Sequence, residues 1–355
     1  MPASRKTKPS TPDRTSFRPY FREHILPLPS DPASFSAEQH HVDSSADIRL
    51  LLTRKRPKVP TEAPPVLLVH GSTLPGTLIF DLPLDGYSWM DALAANGRDV
   101  WTVDFRGYGG STVPPVVVQQ DGSEAPVART TDALVDLAAA MSAIRSLTGS
   151  ASVDLVGWSW GASVSGEYAA GGATDIGKLV LYAPQWVRDT PSLLVNEATL
   201  SKAYREVDPV AFIDRWFRGL PEEVRGEVQS RHWPERLVEA LEQTARDANP
   251  GASRIKVPNG SVRDIADHWI AGVPRYDPGA IAVPTLVIVG TNDMDTPLRQ
   301  GEAIARQIVR APCELRTVAG GTHFAMIEPA RDELFAAVLA FLAEPVEPAK
   351  GDTAA

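Results

Sequence analysis

The sequence predicts an α/β fold, with a largely parallel sheet covered by helices on both faces. Short continuous apolar runs such as Val66–Val69 and Lys178–Tyr182 are typical of strands that are buried on both sides. These runs alternate with amphipathic segments, of which Thr130–Leu147 is the clearest. At Gly157–Gly161 an apolar run passes through a sharp turn into a run of small residues, which indicates a strand, a turn and a helix.

The remaining elements follow the same alternation. A polar turn between two strand-like runs indicates a hairpin, and Thr130 or Thr131 is the expected cap of the long helix, which Gly149 ends. Continuous or alternating apolar runs predict strands at Ser36–Val42, Ile48–Arg54, Val66–Val69, Val100–Asp104, Ser152–Val156, Lys178–Tyr182, Pro284–Gly290 and Cys313–Val318. Helical periodicity predicts helices at Tyr87–Asn96, Thr130–Leu147, Leu298–Val309 and Asp332–Ala343.

The rhythm changes between residues 187 and 276, where the chain is charged and helical in pattern and lacks buried-strand runs. We interpret this segment as a helical lid inserted into a core of residues 34–186 and 277–345. Residues 1–33 are basic and proline-rich and predict a flexible tail, with an arm packed on a neighbouring subunit of a homo-oligomer as the alternative. Residues 346–355 are predicted to be disordered.

Composition excludes several classes of function. The 355-residue chain carries a net charge of −9, which argues against nucleic acid as its main partner. A single cysteine, Cys313, rules out a disulfide framework or a cysteine-cluster metal site, and the pair His40 and His41 is too small to predict a metal. No run is as long as a membrane span and the N-terminus lacks an apolar leader core, so we expect a cytoplasmic protein.

The turn at Gly157-Trp158-Ser159-Trp160-Gly161 predicts a nucleophilic serine. Glycines two residues to either side allow a tight turn that holds Ser159 in strained geometry at the start of a helix. A serine hydroxyl needs a base within hydrogen-bond reach, and that base needs a carboxylate to orient it. His323 follows the last predicted strand in a glycine turn, and Asp293 follows the strand before it. We assign Asp293 as the acid, and Asp295 in the same loop as a turn or cap residue.

Two backbone N–H groups are predicted to stabilise a developing oxyanion. One belongs to Trp160, directly after the serine, and the other to Ser72 in the loop after Val66–Val69, with Thr73 as the alternative. We expect His70 to brace this loop through a hydrogen bond and to take no part in catalysis.

Taken together, these pieces resemble the α/β-hydrolase superfamily. The motifs that carry the resemblance are His70-Gly71, Asp104–Ser111, Gly157–Gly161, the Gly290 to Pro297 loop and Gly321-Thr322-His323. The resemblance implies the α/β-hydrolase fold, with an eight-stranded, mostly parallel sheet, a lid after the sixth strand, and no cofactor.

Aromatic residues around these motifs suggest a pocket for a bulky hydrophobic group. Its predicted lining is Thr73, Phe80, Trp186 and Phe324, with the Trp160 ring as a further candidate and Trp158 assigned to the core. Arg188 and Arg275 at the lid boundaries are candidates to hold a substrate carboxylate.

The expected function is hydrolysis of a small-molecule carboxylic ester or lactone through an acyl-enzyme on Ser159. Three alternatives remain open: carbon–carbon bond hydrolysis of a vinylogous diketone, a cofactor-free perhydrolase or acyltransferase, and a ligand receptor on the same scaffold.

Overall fold

A computed structural model describes residues 35–115 and 125–345, so the predicted tails at residues 1–33 and 346–355 lie outside the described residues. The strands are β1 (Ala37–Ser45), β2 (Ile48–Lys55), β3 (Val66–Val69), β4 (Val100–Asp104), β5 (Val153–Trp158), β6 (Ile176–Tyr182), β7 (Tyr204–Val207), β8 (Ile255–Pro258), β9 (Thr285–Gly290) and β10 (Cys313–Val318). Eight of them form one sheet in the order β1-β2-β4-β3-β5-β6-β9-β10. Strand β2 runs antiparallel to both of its neighbours, and the pairs from β4 to β10 are parallel. The predicted α/β fold with a mostly parallel eight-stranded sheet is confirmed.

The α-helices in the described residues are α1 (Gly76–Phe80), α2 (Trp89–Ala95), α3 (Thr130–Thr148), α4 (Trp160–Ala170), α5 (Glu197–Ser201), α6 (Pro209–Trp216), α7 (Glu222–Ser230), α8 (Trp233–Ala248), α9 (Gly260–Asp264), α10 (Leu298–Ala305) and α11 (Arg331–Ala343). A π-helical turn, Ile265–Ile270, continues α9. No helix in residues 35–115 or 125–345 is long and apolar enough to cross a membrane.

The start of α3 differs from the prediction. Thr130 is the first residue of the helix and Arg129 holds the cap position, so neither threonine caps the helix. The hydroxyl of Thr130 accepts a hydrogen bond from the Trp160 indole at 2.9 Å. The Asp132 carboxylate instead accepts the Arg129 N–H at 3.0 Å. Gly149 ends the helix with a φ of 72°, a left-handed conformation that glycine adopts without steric cost, as predicted.

Residues 187–276, which we call the inserted segment, lie between β6 and β9 in the chain. The segment is mainly helical but also contains an antiparallel pair, β7 and β8, with Tyr204 opposite Pro258 and Val207 opposite Ile255. The sequence does not predict these strands, because each is only four residues long and polar or exposed residues interrupt its apolar positions.

Candidate active site

Ser159 lies between β5 and α4 in strained backbone geometry, with φ of 58° and ψ of −120°. Its N–H donates to the Tyr182 carbonyl at 2.9 Å, which ties the turn to the neighbouring strand. A Cβ on Gly161 would lie less than 3.0 Å from the carbonyl oxygens of Val69 and His70, and one on Gly157 would collide with the backbone of α4. The two glycines are therefore required by close backbone approach, and the turn presents Ser159 beside the loop that follows β3.

His323 connects Ser159 to a carboxylate. Its Nε2 lies 2.9 Å from Ser159 Oγ, and its Nδ1 lies 2.9 Å from Asp293 Oδ2. All three residues are at most 5% exposed. Because a carboxylate only accepts hydrogen bonds, Nδ1 carries the proton and Nε2 is left to accept the Ser159 hydroxyl.

The Asp293 carboxylate is oriented by its own loop. Oδ1 accepts the N–H groups of Asp295 at 2.9 Å and Thr296 at 2.7 Å, and Oδ2 accepts the Thr296 hydroxyl at 2.7 Å. These bonds keep the Asp293 side chain from rotating, so that a lone pair of Oδ2 stays directed at His323 Nδ1.

Asp295 points to a different partner. Its carboxylate accepts two hydrogen bonds from Arg215 of α6, at 2.6 and 3.0 Å. Burial, the largest single influence, would raise the pKa of Asp295, but the charge and hydrogen bonds of Arg215 together with the charges of His323 and Arg188 lower the pKa overall. Of the two aspartates in the loop, the structure places Asp293 against His323.

The loop after β3 runs directly past the serine. A Cβ on Gly71 would lie 3.1 Å from the Cβ of Ser159. Among the described residues, the backbone N–H groups of Ser72, Thr73 and Trp160 have no hydrogen-bond partner. They remain available as donors beside Ser159, and the choice between Ser72 and Thr73 stays a prediction.

His70 sits beneath this loop and is fully buried. Its Nε2 accepts the Phe105 N–H at 3.1 Å, so Nδ1 carries the proton and donates to the Gly71 carbonyl at 2.6 Å. Burial lowers the pKa of His70 to about 4, which keeps the ring neutral near pH 7. This geometry agrees with the bracing role expected for His70.

The predicted pocket residues lie in different surroundings. Phe324 contacts both the His323 ring, at 5.3 Å between centroids, and the Phe212 ring of the inserted segment, at 5.2 Å. Trp186 packs edge-on against Tyr276 at 5.1 Å, and the Thr73 hydroxyl lies 3.1 Å from an arginine nitrogen of the inserted segment.

Two other aromatic candidates have core contacts. Phe80 is fully buried and packs edge-on against Trp89, so its place in a pocket remains a prediction. The Trp160 ring is also fully buried and packs against Phe105, while its indole N–H is bonded to Thr130. This side chain therefore packs in the core.

Several residues support His323, and of these Tyr182 and Glu328 are not marked as site residues by the sequence. The His323 carbonyl accepts the Trp158 indole N–H at 3.0 Å and the Tyr182 hydroxyl at 3.1 Å. Glu328 is buried and accepts the Thr322 N–H at 2.9 Å, the Thr322 hydroxyl, and the Trp216 indole of α6 at 3.2 Å. Burial raises the pKa of Glu328 to about 7. No sequence pattern marks Glu328, because a lone glutamate near a helix start is ordinarily solvated.

Within the described residues, no group of three or more histidine, cysteine, aspartate or glutamate side chains is arranged to hold a metal ion.

Comparison with known proteins defines the family. Residues 66–338 match the alpha/beta hydrolase family, and the chain belongs to that family. No curated protein matches the sequence significantly.

Among solved structures, 2-hydroxy-6-oxo-6-phenylhexa-2,4-dienoate hydrolase from a Rhodococcus species aligns with a TM-score of 0.59 at 14% identity, over 88% of this chain and 100% of that one. A bromoperoxidase from Bacillus anthracis aligns with a TM-score of 0.57 at 22% identity, over 86% and 100%. A thermophilic esterase from Thermogutta terrifontis aligns with a TM-score of 0.55 at 22% identity, over 86% and 98%. At these identities the likeness establishes the fold.

Proposed function

We propose that this protein is a serine hydrolase of carboxylic esters or lactones that works through an acyl-enzyme on Ser159. The observation that carries the proposal is the continuous chain from Ser159 Oγ to His323 Nε2 and from His323 Nδ1 to Asp293 Oδ2, with 2.9 Å at each step. Family membership supports hydrolysis, and the strained φ of Ser159 supports the nucleophilic role.

In the proposed mechanism, Ser159 Oγ attacks the substrate carbonyl carbon as His323 Nε2 takes its proton. The carbonyl π electrons move to oxygen, and the oxyanion accepts hydrogen bonds from the N–H groups of Trp160 and Ser72. The Asp293 carboxylate stabilises the imidazolium without taking its proton.

Collapse of the tetrahedral intermediate breaks the bond to the leaving alkoxide, which receives the proton from His323. A water molecule then gives its proton to His323 and attacks the acyl carbon. Loss of Ser159 Oγ, reprotonated by His323, releases the carboxylic acid and restores the starting state.

The inserted segment is proposed to act as a lid. Its helix α6 contacts the histidine loop through Phe212 and Trp216 and the acid loop through Arg215. A cover so placed over Ser159 would limit the entry of water and select the substrate group. Phe324 and Trp186 are proposed to line the pocket that receives a bulky hydrophobic group.

The test is turnover of p-nitrophenyl esters together with labelling by a fluorophosphonate probe. The wild-type protein is expected to react with both, and Ser159→Ala to lose labelling and to lose kcat by on the order of 10⁶-fold. Ser165→Ala is the matched control. It removes a buried hydroxyl of α4 that has no hydrogen-bond partner in residues 35–115 and 125–345, and should leave kcat unchanged.

The substrate panel should vary acyl chain length and include lactones and a vinylogous diketone, scored by kcat/KM. Added alcohol or hydrogen peroxide would measure whether acceptors other than water reach the acyl-enzyme. A folded wild-type protein that turns over no member of the panel would refute the proposed function.

A further inference from the structure

An arginine of the inserted segment reaches the loop after β3 that borders Ser159. Arg205 lies on β7, and its Nη2 donates to the Ser72 carbonyl at 2.6 Å and contacts the Thr73 hydroxyl at 3.1 Å. Its Nη1 donates to the Pro258 carbonyl and to Asn259 Oδ1, both at 3.0 Å. The guanidinium is therefore fixed beside the residue whose N–H is the proposed oxyanion donor.

All four of these acceptors are neutral. Within the described ranges no carboxylate forms an ion pair with Arg205, and burial lowers its pKa to about 10. Other enclosed arginines are neutralised directly, as in the pairs Arg98–Asp154, Arg106–Asp136 and Arg275–Glu167. A mostly buried positive charge without a counter-ion costs free energy. A residue that only hydrogen-bonded to carbonyl groups for structural reasons would not need to be charged.

The two arginines singled out from the sequence are already occupied. Arg275 donates two hydrogen bonds to Glu167, at 2.7 and 2.8 Å. Arg188 donates to three backbone carbonyls. The nearby carboxylates of Asp295 and Asp293 raise its pKa, although burial lowers that pKa by more. In residues 35–115 and 125–345, no carboxylate lies close enough to Arg205 to raise its pKa in this way.

One N–H donor of Arg205 has no partner among the described residues, and no carboxylate there neutralises its charge. The four Nη hydrogens face the acceptors named above, whereas Nε–H has no partner among the described residues. Arg205 retains part of its accessible surface, so a small anion can reach the guanidinium. One N–H and one positive charge suit a singly charged carboxylate better than a phosphate, which needs more donors.

We propose that Arg205 binds a carboxylate of the substrate beside the loop that borders Ser159, so that the preferred substrates are anionic esters or lactones. The inference rests on the proposed function, because it assigns the charged substrate group to the same site. The bulky hydrophobic group predicted from the aromatic residues would then occupy the side of the site near Phe324 and Trp186.

The first experiment compares matched substrates. The mono-p-nitrophenyl esters of succinic, glutaric and adipic acids each carry a free carboxylate, and their terminal amides are neutral isosteres. Wild type should prefer at least one acid to its amide by tenfold or more in kcat/KM. Arg205→Gln should lower kcat/KM for that acid by about ten- to a hundredfold, mainly through KM, because a hydrogen bond to a charged group has about this worth.

Two controls separate binding from structural damage. Because loss of the bonds to Ser72 and Thr73 affects both substrates alike, Arg205→Gln should lower kcat/KM for the acid at least tenfold more than for the amide. Arg205→Lys should recover part of the preference for the acid. Arg254→Gln removes an exposed positive charge of the same segment, paired with Asp208, and should leave both substrates unaffected. Equal losses on acid and amide in Arg205→Gln, or a wild-type enzyme without preference, would overturn the proposal.

A binding measurement keeps this inference separable from the proposed function. Calorimetry on Ser159→Ala protein should detect monomethyl glutarate but not its neutral amide, and the additional change Arg205→Gln should abolish that difference. If this pattern held while wild type hydrolysed no ester, the proposed function would fail and the carboxylate site would stand. If neutral esters were hydrolysed and no carboxylate bound, the proposed function would stand and the carboxylate site would fail.

Discussion

Replacing Asp293 by asparagine tests the assigned acid most directly. The carboxylate oxygens face four donors: two backbone N–H groups on Oδ1, and the Thr296 hydroxyl and His323 Nδ1–H on Oδ2. An asparagine must place its NH₂ against one of these sets. Facing the backbone pair would lose two charge-assisted bonds, worth about 3–6 kcal/mol together, so the NH₂ will face His323.

That orientation reverses the histidine tautomer. With a donor opposite Nδ1, the ring proton moves to Nε2, and Nε2 can no longer accept the Ser159 hydroxyl proton. We expect kcat to fall by about 10⁴-fold, or about 5 kcal/mol of transition-state stabilisation, with little change in melting temperature. The assay is steady-state hydrolysis of a p-nitrophenyl ester at pH 8.

Asp295→Asn is the matched control in the same loop. It removes the ion pair with Arg215, which is mostly buried, and should lower the free energy of unfolding by about 3 kcal/mol. Its kcat should fall less than tenfold, because the Asp295 carboxylate is hydrogen-bonded to Arg215 and it is Asp293 that bonds His323 Nδ1. A large loss of kcat in Asp295→Asn with activity retained in Asp293→Asn would refute the assignment.

Two further predictions concern stability. Gly161→Ala should lower the free energy of unfolding by several kcal/mol, and the melting temperature with it, because its Cβ meets the fixed carbonyls of Val69 and His70. Gly226→Ala in α7, where a Cβ meets nothing, should raise stability by up to about 1 kcal/mol, and thermal melts showing equal effects would contradict this reasoning. Burial raises the pKa of Glu328 from 4.5 to about 7, so between these pH values the folded protein retains a proton that the unfolded chain releases. The free energy of unfolding should therefore fall by on the order of 3 kcal/mol as pH rises from 4.5 to 7. Urea unfolding between pH 4.5 and 8 should show that this decline in the free energy of unfolding is missing in Glu328→Gln. Equal pH dependence in wild type and Glu328→Gln would refute the prediction.

Much of the core could be predicted because its signals are local. Val66–Val69 and the run ending at Gly290 are continuous apolar segments, as strands buried on both faces require. Ser159 and Asp293 follow such strands, and His323 follows the partly buried edge strand β10. Parallel strands bring their carboxyl ends to one edge of the sheet. Strand order therefore brings together residues that are far apart in the chain.

The remaining features depend on contacts between distant segments. Strands β7 and β8 pair residues about fifty positions apart, and their exposed positions, Glu206 and Lys256, hide the apolar pattern. Arg205 and Glu328 are charged, and nothing in their neighbours along the chain indicates that packing will enclose them. The Trp160 ring was ambiguous because a tryptophan beside the nucleophile suits a pocket and a core equally well.

One helix links these unpredicted contacts to the site. Helix α6 begins at Pro209, where the Asp208 carboxylate accepts two N–H groups, and presents Phe212, Arg215 and Trp216 on one face. Phe212 meets Phe324, Arg215 pairs with Asp295, and Trp216 donates to Glu328. Because these contacts share one rigid helix, moving α6 away from the core would break an aromatic contact, an ion pair and an indole hydrogen bond together. Opening of the inserted segment at α6 should therefore be cooperative, and it would loosen the loops that carry the proposed base and acid at the same time.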